Sequence, residues 1–384
     1  MRKAMAWAVG AITVVHGAIH LLGAAKGFGW AEISQLGKPI SVAMGAAWLA
    51  AAALLIAVGI LMPARVTGWG VAAGAAALVS QAVIVTSWAD AKAGTAVNVL
   101  LVVAAVWGLL ADGPPSLRAE YRRLADKTLA AALVGGHAGA GLVTEQDLTA
   151  VPPPVAAYVR ASGAVGQPRV AGFSASFSGR IRSGPDAPWM EFTGTQVNTY
   201  GVEPSRVFLL DATMKGIPAD VLHAYVGAEA RMEVRAASVI KMVDVGGPEM
   251  TRAETVTLLN DLCVFAPAAL ADAPIEWAAI DDHHARATYS NAGHTVSAIL
   301  VFDDSHQLVD FVSDDRLASS KDGRTFTPRR WSTPIGEYRN FAGRRIGVAG
   351  ACRWHPTDAP SFDYLEIRVD DITYLEADQG RQDR

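Results

Sequence analysis

Residues 40–61 read ISVAMGAAWLAAAALLIAVGIL, a run without one Lys, Arg, Asp or Glu. Crossing ~30 Å of hydrocarbon takes about 20 helical residues at ~1.5 Å each, because every backbone polar group must be satisfied inside the segment. Three further stretches share this character: Met5 to Ala24, Trp69 to Trp88 and Thr95 to Leu110. Residues 1–112 therefore read as a four-helix transmembrane domain. Met1-Arg2-Lys3 before the first run and Gly23-Ala24-Ala25 after it would also suit a cleaved signal peptide. That run is long for a signal core, contains two histidines and is followed by three more spans, which favours an anchor.

Orientation follows from lysines and arginines near the span ends. With the N-terminus inside, the inner set is Arg2, Lys3, Arg65, Arg118, Arg122, Arg123 and Lys127, against Lys26, Lys38 and Lys92 outside. This predicts that the chain beyond the fourth span is cytoplasmic. The run Thr128 to Val143 bears on that expectation. It has no formal charge unless His137 is protonated, but Gly135, Gly136, Gly139 and Gly141 make it a poor helix and it is short for a span. It reads as a flexible or interfacial connector within a basic, glycine-rich linker over 113–147.

The 384 residues exceed one ordinary domain of about 100–200, and the 51% hydrophobic content is concentrated at the front. A net charge of -4 supplies no basic field for nucleic acid, so the expected partner is the bilayer itself. Two cysteines, Cys263 and Cys352, make neither a disulfide framework nor a metal site, although one bridge between them is open.

Polar residues in the spans cluster by depth. His16 and His20 lie four apart, on one face of the first helix and in its outer half. Gln81 in the third span, Asp90 and Lys92 in the loop after it, and Asn98 just inside the fourth could converge with them. Ionisable groups in a membrane are costly and so are candidates for a proton or ligand site. They serve equally as hydrogen-bonding glue between helices. A metal would need ligands the sequence does not clearly supply.

Residues 148–384 read as an α+β domain, mostly an antiparallel β meander with one or two covering helices. Leu365, Ile367 and Val369 alternate with Tyr364, Glu366 and Arg368, and Val296, Ala298, Leu300 and Phe302 share one strand face. About ten such strands are expected, separated by turn formers such as Ser183-Gly184-Pro185-Asp186 and Asn291-Ala292-Gly293. Pro154 to Ser162 predicts a short helix ended by Gly163. Thr251 and Glu254 predict a capping box ahead of a helix that Pro267 stops, and Pro218 to Val226 predicts a shorter one.

No phosphate loop, nucleophile elbow or His-Glu-x-x-His helix occurs, which weakens the common hydrolase and nucleotide-dependent readings. Asp281-Asp282-His283-His284 and Asp303-Asp304-Ser305-His306 read as strand turns, since adjacent side chains point apart. Asp314-Asp315-Arg316 reads as an ion-pair network or, through Arg316, a ligand contact. Trp331, like Trp189, Trp277 and Trp354, suits either a packed core or a lipid-lined cavity.

The stretch from Leu148-Thr149-Ala150-Val151-Pro152-Pro153-Pro154-Val155 through Ser162-Gly163-Ala164-Val165-Gly166-Gln167-Pro168 resembles a large bacterial family of uncharacterised, membrane-linked proteins. Gly179-Arg180-Ile181-Arg182, Trp189-Met190-Glu191-Phe192 and Trp331-Ser332-Thr333-Pro334 extend the resemblance over nearly the whole second half. His16-Gly17-Ala18-Ile19-His20 and Trp88-Ala89-Asp90-Ala91-Lys92 resemble a membrane module often found ahead of it. The family implies no activity. The strand meander around one helix is also similar in architecture to the bacterial lipoprotein-localisation carriers, whose curved half-barrel shelters acyl chains, although such carriers act outside the cytoplasmic membrane.

The leading expectation is a membrane-tethered binding protein for a lipid or other apolar small molecule, with Arg316 and Trp331 among its contacts. His16, His20, Gln81, Asp90, Lys92 and Asn98 are the ligand-binding candidates of the spans; the alternatives are a membrane enzyme with His16, His20, Asp90 and Lys92 as an acid-base or ligand site, and a sensing or protein-interaction module. Whether a cofactor is bound is left open by the sequence.

Overall fold

The computed structural model describes residues 2–64, 66–135, 141–214, 216–320 and 322–376. Arg65 of the basic count, and Gly136, His137 and Gly139 of the expected connector, lie outside the described residues. The chain forms two compact units, one centred on residues 1–120 and the other built from most of the remaining chain.

The first unit holds α1 (Arg2–Gly27), α2 (Val42–Ala64), α3 (Trp69–Thr86), the single turn α4 (Trp88–Ala91) and α5 (Gly94–Ala111). α1, α2, α3 and α5 are each long and apolar enough to cross a membrane. Hydrocarbon tails are as apolar as leucine, so close van der Waals packing has to hold such helices together. Glycines allow it: a Cβ on Gly10 would lie 2.5 Å from the Gly59 carbonyl oxygen, and one on Gly27 2.5 Å from the Gly45 Cα. Ile60, Val71, Leu78 and Val103 turn outward and exposed, as lipid-facing side chains do. α6 (Leu117–Gly135) comes next and carries the basic stretch. It runs well into the segment whose glycines predicted a poor helix, because Ala130, Ala131, Ala132 and Leu133 are strong helix formers ahead of them.

In the second unit a short turn of 3₁₀ helix at Asp147–Ala150 leads into α7 (Pro153–Ala161). Its first turn tolerates proline, whose missing N–H would have no partner there, and Gly163 leaves it at φ 73°. Six strands succeed it: β1 (Val170–Ile181), β2 (Met190–Thr199), β3 (Ser205–Met214), β4 (Ile217–Val226), β5 (Glu229–Ala236) and β6 (Ile240–Val245). Then come α8 (Pro248–Phe265), β7 (Ile275–Asp281), β8 (His284–Asn291), β9 (His294–Phe302) and β10 (Leu308–Ser313). The last strands are β11 (Leu317–Ser319), β12 (Phe326–Pro328), β13 (Arg330–Ser332), β14 (Ile335–Phe341), β15 (Arg344–His355) and β16 (Phe362–Glu376).

Among the described residues, fourteen strands make one open sheet in the order β6-β5-β4-β3-β2-β1-β16-β15-β13-β10-β9-β8-β7, with β14 paired on β15. β11 and β12 pair separately. The expected meander is thus two meanders joined along β1 and β16, where Phe177 stands opposite Val369. The outermost strands, β6 and β7, are consecutive in sequence apart from α8. That helix therefore crosses from one edge of the sheet to the other, packing on β5, β9, β10 and β15.

α8 is buried along nearly its whole length. Its last carbonyls, which have no partner within the helix, accept from the hydroxyls of two tyrosines: Tyr158 to Cys263 at 2.9 Å and Tyr374 to Phe265 at 2.7 Å. Phe265 also packs edge-on against Phe173. Both cysteines are free thiols.

Three local expectations change. Pro218 to Val226 is the strand β4, because pairing with β5 from Ala219 opposite Ala236 to Val226 opposite Glu229 overrides a weak helical preference. Thr251 and Glu254 form no capping box. α8 starts earlier, at Pro248 after Gly247 with φ 95°, so Thr251 Oγ1 donates to the Gly247 carbonyl and accepts the Ala230 amide while Glu254 points elsewhere. The short strands β6, β11, β12 and β13 carry too little alternation to have been read.

Candidate ligand-binding cavity

Glu254, Thr257 and Asp261 recur at i, i+3 and i+7, so they share one face of α8. Opposite them, strand pleating sets Gln196 beside Phe208 and Asn198 beside Arg206 across the β2 and β3 register. The two rows meet. Arg206 donates from Nε to Asp261 Oδ2 at 2.7 Å and from Nη1 to Glu254 Oε2 at 3.2 Å. Gln196 and Asn198 donate to the same Asp261 oxygen at 2.7 and 3.2 Å. Arg316, in the turn after β10, donates from Nη2 to Glu254 Oε1 at 3.0 Å. The His223 Nδ1 on β4 lies 3.7 Å from that oxygen.

These charges are deeply buried. Arg206 is 8% exposed and Glu254 3%, a situation stable only where charges are paired. Burial alone would push the Glu254 carboxyl up. The Arg316 guanidinium, then His223 and Arg206, outweigh it and hold the group well below the usual carboxylate range.

Beside this cluster lies a cavity of about 800 Å³ between the sheet and α8. Its walls include Phe208 and Leu210 from β3, Met232 from β5, Val243 from β6, Trp331 from β13 and Leu365 from β16. Arg316 spans the boundary between its polar and apolar parts, with its Cζ 5.4 Å from the centre of the Trp331 ring. Arg316 and Trp331, both expected as ligand contacts, are therefore brought together on one wall. Cys352 also lines the cavity.

Four buried polar atoms on this wall have no hydrogen-bond partner: Nε and Nη1 of Arg316, Oγ1 of Thr257 and Nδ1 of His223. The first two can only donate. The neighbouring aspartates behave as expected in part. Asp314 pairs with Arg330 at 2.7 Å and Asp315 with Arg252, a network in which Arg316 is the member turned inward.

A pairing suited to nucleophile and base also occurs, Ser332 Oγ with His355 Nε2 at 2.9 Å. Ser332 is 2% exposed and is not among the residues that line the cavity.

Within the first unit, the membrane polar residues form a chain across α1, α3 and α5. His20 donates from Nδ1 to the His16 carbonyl at 3.0 Å, which leaves its Nε2 to accept from the Ser80 hydroxyl at 3.0 Å. His16 Nε2 lies 3.3 Å from both Ser80 Oγ and Asn98 Oδ1, as a shared donor. Asn98 donates to Gln81 at 2.9 Å and Gln81 to Thr95 at 3.1 Å. His16, His20, Gln81 and Asn98 thus come together. Asp90 and Lys92 stand outside the chain; Asp90 accepts the Gly37 amide at 2.8 Å. Ser80 was not anticipated, since a lone serine in an apolar span carries no signal.

In the second unit Arg206, Glu254, Thr257, Asp261 and His223 were missed as site residues. The 254, 257 and 261 spacing was the available signal, masked by the capping box read into Thr251 and Glu254.

Residues 141–367, more than half of the chain, match a family of unknown function (DUF6544). The chain belongs to that family. No curated protein matches it. Among solved structures, a putative outer membrane lipoprotein-sorting protein domain from Vibrio parahaemolyticus is 8% identical, with a TM-score of 0.31 over 53% of this chain and 85% of that one. A LolA superfamily protein from Nitrosomonas europaea is 10% identical, with a TM-score of 0.30 over 57% and 92%. A DUF1329 family protein from Desulfovibrio piger is 13% identical, with a TM-score of 0.32 over 59% and 93%. Likenesses this distant leave function to be argued from the cavity of this DUF6544 member itself.

Proposed function

We propose that this chain is a membrane-tethered binding protein whose second unit takes up a lipid or other apolar ligand. The cavity of about 800 Å³ carries the reading: it lies within the ~300–1,000 Å³ of small-molecule pockets and combines apolar walls with a few polar groups. The membrane polar chain satisfies itself internally, which supports a role in packing the helices over one in chemistry.

In this proposal residues 1–112 anchor the protein, 113–147 link it to the binding domain over 148–384, and that domain faces the cytoplasm. The seven inner against three outer basic residues support the orientation. A cysteine introduced at the fully exposed Asp304 should react with an impermeant maleimide only after the cells are opened. Labelling in intact cells would reverse the orientation.

The binding reading is tested on the full-length protein, purified and analysed by solvent extraction and mass spectrometry. Lipid should co-purify in near-stoichiometric amount and be lost from Leu210→Trp, which fills the cavity. A wild-type protein that carries no lipid and takes up no dansylated fatty acid would sink the idea.

A further inference from the structure

We infer that the cavity selects amphiphiles with an anionic head group, carboxylate or phosphate, which docks on Arg316 while the chain lies against Phe208, Leu210, Met232 and Val243. This rests on the reading of the cavity as a lipid site and adds the chemistry of the head.

Hydrogen-bonding capacity around the cluster is unevenly spent. Both Glu254 oxygens already accept from arginines, Oε2 from Arg206 and Oε1 from Arg316. Asp261 Oδ2 accepts from three donors. The buried atoms that remain without partners on this wall are Arg316 Nε and Nη1, Thr257 Oγ1 and His223 Nδ1, and none of them is obliged to accept. Buried donors without acceptors are costly, and a guanidinium is the most costly because it stays charged. A ligand that enters here therefore gains most by bringing acceptors, and a negative charge makes those bonds charge-assisted.

Position agrees with charge. Arg316 is 11% exposed and reaches Glu254 from the turn after β10, so its free edge is fixed where polar and apolar walls meet. Thr257 follows Glu254 by one helical turn on the same face. His223 approaches the same Glu254 oxygen as Arg316, to 3.7 Å. The head would thus be held from α8 and the post-β10 turn together, with the two free N–H groups of Arg316 and the Thr257 hydroxyl, which suits an anion with two or three oxygens more than a single hydroxyl.

The test uses full-length protein in amphipol and three radiolabelled probes at pH 8: dodecanoate, dodecyl phosphate and dodecanol. The wild type should bind at least one anion roughly tenfold or more tightly than the alcohol. Arg316→Gln should remove that gap while leaving dodecanol affinity within about twofold, and Arg316→Lys should keep part of it. Whichever anion shows the larger Arg316→Gln effect identifies the head. If Arg316→Gln loses its native thermal midpoint, Thr257→Val takes its place, with a smaller loss of the same gap. Equal binding of acid, phosphate and alcohol overturns the head-group inference and leaves the apolar cavity standing. Binding of none of the three overturns both.

Discussion

Arg206 and Asp261 meet at 2.7 Å with both side chains less than a tenth exposed, one from β3 and the other from the C-terminal half of α8. The pair joins sheet to helix at the cavity wall. Removing Asp261 leaves two buried arginines sharing the one Glu254 carboxylate, so Asp261→Ala should cost about 3–5 kcal/mol. The double change Arg206→Met with Asp261→Leu should cost clearly less, because Arg316 still serves Glu254. Thermal unfolding followed by circular dichroism separates the two; equal losses would mean that the pair is not desolvated.

Desolvation pushes the Asp310 carboxyl up to about 6, against amides of Phe311 and Thr333 and the Arg353 charge, which pull it down. An unfolded aspartate titrates near ~3.9. Below that value both states hold the proton and the group is neutral to stability. Between ~4 and about 6 the unfolded chain releases it first, so stability falls as pH rises, and above about 6 the whole penalty is present. Asp310→Asn should therefore raise the thermal midpoint at pH 8 and leave it unchanged at pH 4. The group is only half-buried, so the gain is on the order of 1 kcal/mol after solvent screening. A gain at pH 4 as large as at pH 8 would contradict the assignment.

Burial pushes the Cys352 thiol up to about 12, and the surface it keeps faces the cavity. With an ordinary thiol near ~8.5, its thiolate fraction at neutral pH is lower by roughly three thousandfold. Iodoacetamide should modify it that much more slowly than a free thiol at pH 7.5, with the rate rising about tenfold per pH unit. Dodecanoate in the cavity should slow it further. Cys263 is fully buried, so neither native cysteine can report topology, and Asp304 is the better position for a label.

Ser80 contacts both His16 and His20. Ser80→Ala should leave the His20 Nε2 without its partner and His16 with Asn98 alone, and lower the thermal midpoint of the detergent-solubilised protein by an amount equivalent to about 0.6–2 kcal/mol. Lipid retention by the second unit should not change. Loss of lipid without loss of stability would instead tie the chain of polar residues to function.

The membrane half was legible because a span must satisfy its own backbone, and composition alone then marks α1, α2, α3 and α5. The strands were legible where alternation was long, as in β9 and β16. What could not be read was which strands pair at a distance: nothing in Val170 to Ile181 indicates that its neighbour is Phe362 to Glu376. Arg316 and Trp331 were named only as one option each, beside an ion-pair network and a packed core, because the sequence does not say that the turn after β10 brings the guanidinium to the Trp331 ring. Glu254 was misread because a cap and a buried stripe use the same spacing, and only the start of α8 at Pro248 separates them.

The seam between β1 and β16 also sets the order in which the protein can be made. Ser178 bonds to Asp370 at 2.7 Å across 192 steps of chain. At about 5–20 residues per second, the ribosome delivers that partner some 10 to 40 s after β1. Until then β1 is an open edge with its apolar face uncovered, and closing so long a loop is slow. The nascent chain therefore carries an unpaired β1 edge until Phe362 to Glu376 has emerged, which makes this seam a place where a chaperone would help.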